Sequence, residues 1–230
     1  FLLSPANVLQ GQVTNLLARI KETGKDEETK IIMAFQFYLK LMLFFTLPII
    51  MLVSMYIDKL IIFFLEGKYL DAMPLIFGLL GLLIIHLFMT TIYPVIRKLE
   101  KTEYFAFSLV FAALNIILNF LLIEQFQLLG IMIATIISQL MNLIFLYIMT
   151  KKNINLTIPF NSITKICLNL LFPALFAFYC RIFIDNITKL IIISGLSIFL
   201  YIMLCSLNKV FELSERTLIN KAIGRKIWLF

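Results

Sequence analysis

Four polar side chains in one long apolar stretch are spaced so that they share a single face of an α-helix. They are His86, Thr90, Tyr93 and Arg97, at offsets of 0, 4, 7 and 11 residues. Polar groups at membrane depth are costly unless they face protein or water. Two interpretations are therefore open. His86, the only histidine, either hydrogen-bonds a neighbouring helix as a neutral ring, or faces a polar cavity where it binds a ligand or a proton.

Amide side chains form similar patterns in the two apolar stretches that follow. They are Asn115 and Asn119 in the first stretch, and Gln139 and Asn142 in the second. Spacings of three or four residues place each pair on one helix face. Hydrogen bonds between helices explain these amides, and so does a hydrated cavity that they line. Polar stripes on three successive helices favour a shared polar interior.

One lysine lies inside an apolar stretch rather than between two of them. Lys40 is close to one end of the first stretch. Its long side chain either extends to the lipid headgroups or faces a polar cavity. In the second case Lys40 becomes a candidate for binding an anionic group.

The residue patterns of common enzymes and metal sites are absent from the sequence. There is no GxSxG, HExxH or GxxxxGK[ST] motif and no DxD-like acidic pair. The carboxylates Glu66, Asp71 and Glu124 fall at the ends of apolar stretches, and the three cysteines lie in apolar surroundings typical of small core residues. We therefore expect no catalytic residues, no metal and no cofactor.

The polar residues are carried by segments long enough to cross a membrane. Hydrophobic residues make up 62% of the chain, against about 45–50% in soluble domains. A spanning helix needs about 20 predominantly apolar residues. Six such stretches are present: Leu39–Ile57, Ala72–Ile96, Tyr104–Ile123, Leu128–Met149, Ile163–Ile184 and Leu190–Leu207. The sequence thus predicts an all-α, polytopic transmembrane helical bundle.

Lysine and arginine collect in every second gap between these stretches. One set of gaps holds Arg19, Lys21, Lys25, Lys30, Arg97, Lys98, Lys101, Lys151, Lys152, Lys165, Lys209, Arg216, Lys221, Arg225 and Lys226. The other set holds only Lys59, Lys68, Arg181 and Lys189. Short loops rich in Lys and Arg stay in the cytoplasm, so we expect the C-terminus on that side. The net charge of +7 then indicates contact with membrane lipids rather than nucleic acid.

The order of segments gives the expected domain organisation. Residues 1–17 resemble the trailing end of an earlier transmembrane helix, and residues 18–30 a cytoplasmic loop. Residues 31–208 are expected to form the six-helix membrane domain, and residues 209–230 a cytoplasmic or interfacial tail. The first helix is expected to leave the membrane near Asp58.

The gap between the third and fourth stretches predicts a tight antiparallel hairpin. Only Glu124–Gln127 separates them. The fourth stretch also has small residues at every fourth position, namely Gly130, Ala134 and Ser138. Small side chains let two helices approach closely, so we expect another helix to pack against this ladder.

Two segments resemble polysaccharide flippases. FFLEGKYLDAMPLIFGLLGLL, Phe63–Leu83, is similar to the turn between two spanning helices in that family. LNIILNFLLIEQFQLLGIMIATIIS, Leu114–Ser138, resembles the family's Asn-bearing helix, hairpin and GAAIAT-like helix. The matching residues are Gly67, Tyr69 or Leu70, Ala72, Asn115, Asn119, Leu122, Ile123, Gly130, Ala134 and Thr135. The departures are Glu124 for the usual Pro, Gln127 for the usual Gly, and Ile131–Met132 for an alanine pair.

This family comprises the lipid-linked oligosaccharide (O-antigen, Wzx-type) flippases of the MATE-like exporter superfamily. The resemblance implies two six-helix lobes around a central cavity, with this chain as most of the C-terminal lobe. It also implies a location in the bacterial inner membrane, an N-terminal lobe as partner, and an undecaprenyl-pyrophosphate-linked oligosaccharide as substrate. On that assumption, Arg97 and Lys40 are candidates for the diphosphate, and the polar stripes for the rest of the substrate path: His86, Thr90, Tyr93, Asn115, Asn119, Gln139 and Asn142.

Two other functions remain open from the sequence. A MATE-like, ion-coupled exporter of small organic cations shares the fold but favours carboxylates within the membrane. A membrane glycosyltransferase or glycan ligase needs catalytic groups outside the membrane, where the predicted outer loops are short. Drug resistance without a glycan phenotype distinguishes the first, and glycan transfer in detergent distinguishes the second.

Overall fold

The computed structural model describes residues 25–213 and 215–217, and these residues form helices and connecting turns without a β-strand. The predicted all-α class is therefore confirmed for this part of the chain. The expectations for residues 1–17 and for most of the tail lie outside the described residues. The main helices are α1 Lys25–Leu65, α2 Met73–Lys98, α3 Glu103–Phe126, α4 Leu128–Asn153, α5 Phe160–Cys180 and α6 Ile187–Leu207.

All six helices are long and apolar enough to cross a membrane. Their candidate spans coincide with the six apolar stretches of the sequence. Many large apolar side chains on them are exposed, including Leu109 at 72% and Phe120 at 73%. Helix α3 has no buried residue at all. Apolar surface on this scale is unfavourable in water, and the fold is that of a multi-pass membrane protein.

Helix α1 is longer at both ends than the sequence predicted. It begins at Lys25, within the expected loop, because Asp26, Glu27 and Glu28 suit the first turn of a helix. It continues past Asp58 to Leu65. No glycine or proline follows Asp58 until Gly67, where a positive φ of 76° ends the helix.

Tyr56 marks a kink within α1. Its backbone angles, φ −113° and ψ 15°, depart from helical values. Its hydroxyl donates to the carbonyl oxygen of Ala177 in α5 at 2.9 Å. This hydrogen bond satisfies a buried polar group and ties the end of α1 to α5.

The predicted hairpin of α3 and α4 is tighter than expected. Gln127 alone connects the two helices, with φ 51° and ψ −129°. These angles favour glycine, which lacks the Cβ atom that makes a positive φ costly. Three residues later, a Cβ atom added to Gly130 would lie 2.3 Å from the carbonyl oxygen of Leu122. The close approach predicted from the small-residue ladder is confirmed, since Gly130, Ala134 and Ser138 are all buried.

The described residues divide into two compact units. The first unit holds the described residues up to Met42 together with Asp71–Ile158, and in it α4 packs against both α2 and α3. The second unit holds Leu43–Leu70 and the described residues from Pro159 onward. Its core is formed by Leu52, Tyr56, Ala177, Ile184 and Leu190.

The segment that connects α4 to α5 is hydrogen-bonded to α1 within the first unit. Gln36 donates from Nε2 to the hydroxyl of Thr157 at 2.8 Å and to its carbonyl oxygen at 3.1 Å. Glu28 accepts the backbone N–H of Asn155 at 2.8 Å. Ile154 and Leu156 are buried. The segment between α4 and α5 therefore has both hydrogen bonds to α1 and buried apolar side chains.

Candidate functional site

Two of the predicted asparagines join one hydrogen-bonded chain across the α3–α4 hairpin. Asn119 donates from Nδ2 to Oδ1 of Asn115 at 2.7 Å, and Asn115 donates from Nδ2 to the hydroxyl of Ser138 at 2.9 Å. The Ser138 hydroxyl in turn donates to the carbonyl oxygen of Ala134 at 2.9 Å. Ser138 is a member of the small-residue ladder, so the close helix approach is what brings the amides to it.

One atom of this chain has no partner among the described residues. Oδ1 of Asn119 is buried and accepts no hydrogen bond there. A buried acceptor without a donor is costly. A hydroxyl donor from a ligand would be stabilised there only in a conformation that uncovers this oxygen.

A second contact between α3 and α4 lies further along the hairpin. Ser108 donates its hydroxyl to Oδ1 of Asn142 at 3.1 Å. Asn142 is buried, at 6% exposure. Three of the four predicted amides are therefore engaged in hydrogen bonds within the hairpin. Gln139, the fourth, is exposed.

The four polar side chains predicted to share a face of α2 differ in their exposure. His86 and Arg97, at its two ends, are exposed. Thr90 is buried and donates its hydroxyl to the carbonyl oxygen of Leu87 at 2.8 Å. Tyr93 is half-buried and packs edge-on against Phe105 of α3, with ring centroids 5.3 Å apart. Tyr93 thus contacts α3, the Thr90 hydrogen bond stays within α2, and the two ends of the stripe are exposed.

Lys40 and Arg97, the two candidates for binding the diphosphate, differ in exposure. Lys40 is only 3% exposed, so protein covers its side chain. Arg97 is exposed in the last turn of α2 and forms no ion pair with the described residues. Of the two, Arg97 is the cation that an incoming anion reaches first.

The charged side chains that line a cavity near the same end of α2 are mainly negative, unlike the exposed cation Arg97. It is lined by Glu27, Glu28, Lys98 and Glu100 together with apolar side chains. The ammonium of Lys98 is paired with Glu27 at 3.0 Å. An excess of carboxylates disfavours an anion, so this cavity does not suit a diphosphate.

Asp58 of α1 forms an ion pair that was not predicted from the sequence, with Arg181, the residue that follows α5. Arg181 donates from Nη2 to Oδ2 of Asp58 at 2.7 Å. The other carboxylate oxygen, Oδ1, is buried without a partner among the described residues. The signal was present in the sequence as opposite charges at the ends of two apolar stretches. Asp58 was expected near the point where α1 leaves the membrane, and the helix continues past it to Leu65.

A buried polar cluster in the second unit was also missed. Asn169 of α5 is 3% exposed. It donates from Nδ2 to Sγ of Cys205 at 3.4 Å and accepts at Oδ1 from Nδ2 of Asn208. Tyr201 donates its hydroxyl to the carbonyl oxygen of Phe44 at 3.1 Å. The available signal was the single amide in the apolar stretch Ile163–Ile184. Its hydrogen bonds are satisfied within the protein.

The described residues contain no group of three or more histidine, cysteine or carboxylate side chains that could hold a metal ion. The polar groups instead suit binding of hydroxyls and anions through hydrogen bonds and charge. Comparison with known proteins finds no matching family model, no matching curated protein and no matching solved structure.

Proposed function

We propose that this chain is the C-terminal lobe of a MATE-like flippase in the bacterial inner membrane. The substrate is an oligosaccharide linked to undecaprenyl pyrophosphate, and the protein moves it by alternating access together with an N-terminal lobe. The substrate class comes from the resemblance of Leu114–Ser138 to Wzx-type flippases. The six apolar helices and their polar side chains are compatible with that assignment.

The observation that carries the proposal is the exposure of polar side chains on spanning helices. His86 of α2 and Gln139 of α4 belong to candidate membrane spans, and both are exposed. A polar side chain that faces hydrocarbon is unfavourable. We infer that these two side chains face a hydrated cavity, which the opposite lobe completes. Such a cavity removes most of the desolvation cost of carrying a sugar through the membrane.

Within this proposal, the anionic diphosphate is bound first by Arg97. Its guanidinium is exposed and presents several donors in a fork that matches phosphate oxygens. Lys40 is covered by protein in this conformation. It contributes to diphosphate binding only in a conformation that uncovers its ammonium group.

The amides have two different roles in the proposed path. Asn119 has a buried carbonyl oxygen without a donor among the described residues, which becomes available to a sugar only when it is uncovered. Asn115 accepts from the Asn119 amide and holds it in place. Asn142 is held by Ser108. Thr90 and Tyr93 act through packing of α2 rather than by direct contact with the sugar.

The proposal is tested by replacing Arg97. In cells in which the full-length protein supplies surface glycan, Arg97→Ala should reduce export at least tenfold, because one charge-assisted contact is worth about 1.5–3 kcal/mol. The matched control is Lys68→Ala, which removes an exposed cation already paired with Glu66 at 2.9 Å. Both variants should insert into the membrane to the wild-type level. Normal surface glycan with Arg97→Ala would remove Arg97 from the mechanism.

One observation favours the cation exporter as a second candidate. Export coupled to an ion favours a carboxylate inside the membrane, and Asp58 lies within α1 with one buried oxygen unpartnered among the described residues. Expression of the full-length protein would then raise resistance to cationic drugs, and Asp58→Asn would abolish the gain. A glycan defect without any change in drug resistance supports the flippase instead.

A further inference from the structure

One face of α4 has the pattern expected of a surface that holds a phospholipid. Exposed apolar side chains follow one another at intervals of four, three and four residues. They are Ile137, Met141, Ile144 and Ile148, with exposures of 39%, 44%, 49% and 47%. Such intervals keep one face of a helix. The stripe is about 16 Å long at 1.5 Å per residue, which matches one leaflet of a hydrocarbon core about 30 Å thick.

Two lysines lie at the C-terminal end of this stripe. Lys151 and Lys152 come three and four residues after Ile148, in the last turn of α4, and both are exposed. They therefore flank the end of the apolar face. The C-terminal end of a helix also favours cations, because the last carbonyl groups carry partial negative charge.

Neither lysine forms an ion pair with the described residues. Lys151 instead lies over the ring of Tyr147, with Nζ 6.0 Å from the centroid, a contact that keeps its ammonium group beside the stripe. Glu28 accepts the backbone N–H of Asn155, on the segment that follows α4. Its carboxylate does not pair with either lysine.

Three cations elsewhere in the chain, unlike Lys151 and Lys152, form ion pairs with carboxylates. Lys68 pairs with Glu66 at 2.9 Å, Lys189 with Asp185 at 2.6 Å, and Arg181 with Asp58 at 2.7 Å. A carboxylate already neutralises each of these cations. Two adjacent cations without carboxylate partners at the end of an apolar stripe are complementary to an anionic headgroup above an acyl chain.

We propose that this face of α4, defined by Ile137, Met141, Ile144, Ile148, Lys151 and Lys152, binds an anionic phospholipid. The acyl chain lies along the isoleucine and methionine side chains, and the phosphate contacts the two ammonium groups. This lipid is a bound partner of the fold rather than a transported substrate. The proposal therefore holds whether or not the protein is a flippase.

The test measures lipid binding to the purified chain in detergent by native mass spectrometry. The probes are dioleoyl-phosphatidylglycerol and dioleoyl-phosphatidylcholine, which share their chains and differ in net charge. The wild type should prefer phosphatidylglycerol. Lys151→Gln with Lys152→Gln should weaken its binding about 30-fold, since each lysine near anionic lipid contributes about 1 kcal/mol and 1.4 kcal/mol is tenfold.

The control variant is Lys68→Gln with Lys189→Gln, which removes the same charge from cations that are already paired. It should keep the wild-type affinity, as should the charge-conserving variant Lys151→Arg with Lys152→Arg. All variants should elute as the wild type does and keep its helix content, because the replaced side chains are exposed. Four outcomes would each overturn the proposal: unchanged affinity in the Lys151–Lys152 glutamine variant, an equal loss in the control, an equal affinity of the wild type for both lipids, and displacement of the lipid by millimolar inorganic phosphate.

Discussion

At the scale of single residues, spacing located the polar groups, but it did not assign their partners. Asn115, Asn119 and Asn142 were predicted from their positions, with hydrogen bonding and cavity lining both left open. The structure shows the first role for Asn115 and Asn142, through Ser138 and Ser108. The choice depends on how far each helix is rotated about its axis, and rotation is set by packing against neighbours. Asn169 escaped prediction for the same reason.

Replacing Asn115 should weaken the α3–α4 hairpin. Asn115→Ala removes the bond to Ser138 and the acceptor of Asn119, and interhelical hydrogen bonds in membranes are worth about 0.6–2 kcal/mol each. We expect a loss of about 1 kcal/mol in the free energy of unfolding, measured by denaturation in mixed detergent micelles. Gln139→Ala, at an exposed position of α4, should leave the stability unchanged. Equal stability of both variants would contradict the assigned role of Asn115.

At the scale of elements, the sequence predicted all six spans and the tight hairpin. Apolar length is sufficient for this, because a helix that crosses a membrane must satisfy its own backbone. Helix α1 extends beyond the apolar stretch Leu39–Ile57 at both ends. Its extension to Leu65 follows from the lack of a glycine or proline between Asp58 and Gly67, a local property that apolar length does not report.

The close contact at Gly130 gives the strongest prediction at this scale. Gly130→Ala places a methyl group 2.3 Å from the backbone oxygen of Leu122, which cannot move without separating α3 from α4. Overpacking of this kind costs about 1–3 kcal/mol, so we expect a loss of about 2 kcal/mol in the free energy of unfolding. Gly195→Ala in α6 is the matched control, because its added methyl group meets no atom within 4 Å. A Gly130→Ala variant as stable as this control would show that the helices are further apart.

At the scale of the whole molecule, the distribution of lysine and arginine predicts how the chain is oriented in the membrane. The cations that were predicted to face the cytoplasm include Arg97, Lys151 and Lys152, which have no ion pairs with the described residues. Of the four cations predicted to face outward, Lys68, Arg181 and Lys189 are paired with a carboxylate. Lys98 and Lys101, which were predicted to face the cytoplasm, are also paired. The positive-inside rule counts Lys and Arg whether or not they are paired, and by that count the first set of gaps is expected in the cytoplasm. The transport hypothesis depends on this arrangement, since a path for a sugar requires helices that cross the bilayer.

The most direct test of the account is the accessibility of two engineered cysteines that flank α2. Cys167, Cys180 and Cys205 are first replaced by alanine, and then Asp71→Cys and Lys101→Cys are made separately, next to opposite ends of the helix. A membrane-impermeant maleimide should label Asp71→Cys in intact spheroplasts, and should label Lys101→Cys only after the membrane is permeabilised. Labelling of both cysteines in intact spheroplasts, or of neither, would place both ends of α2 on one side and contradict the account.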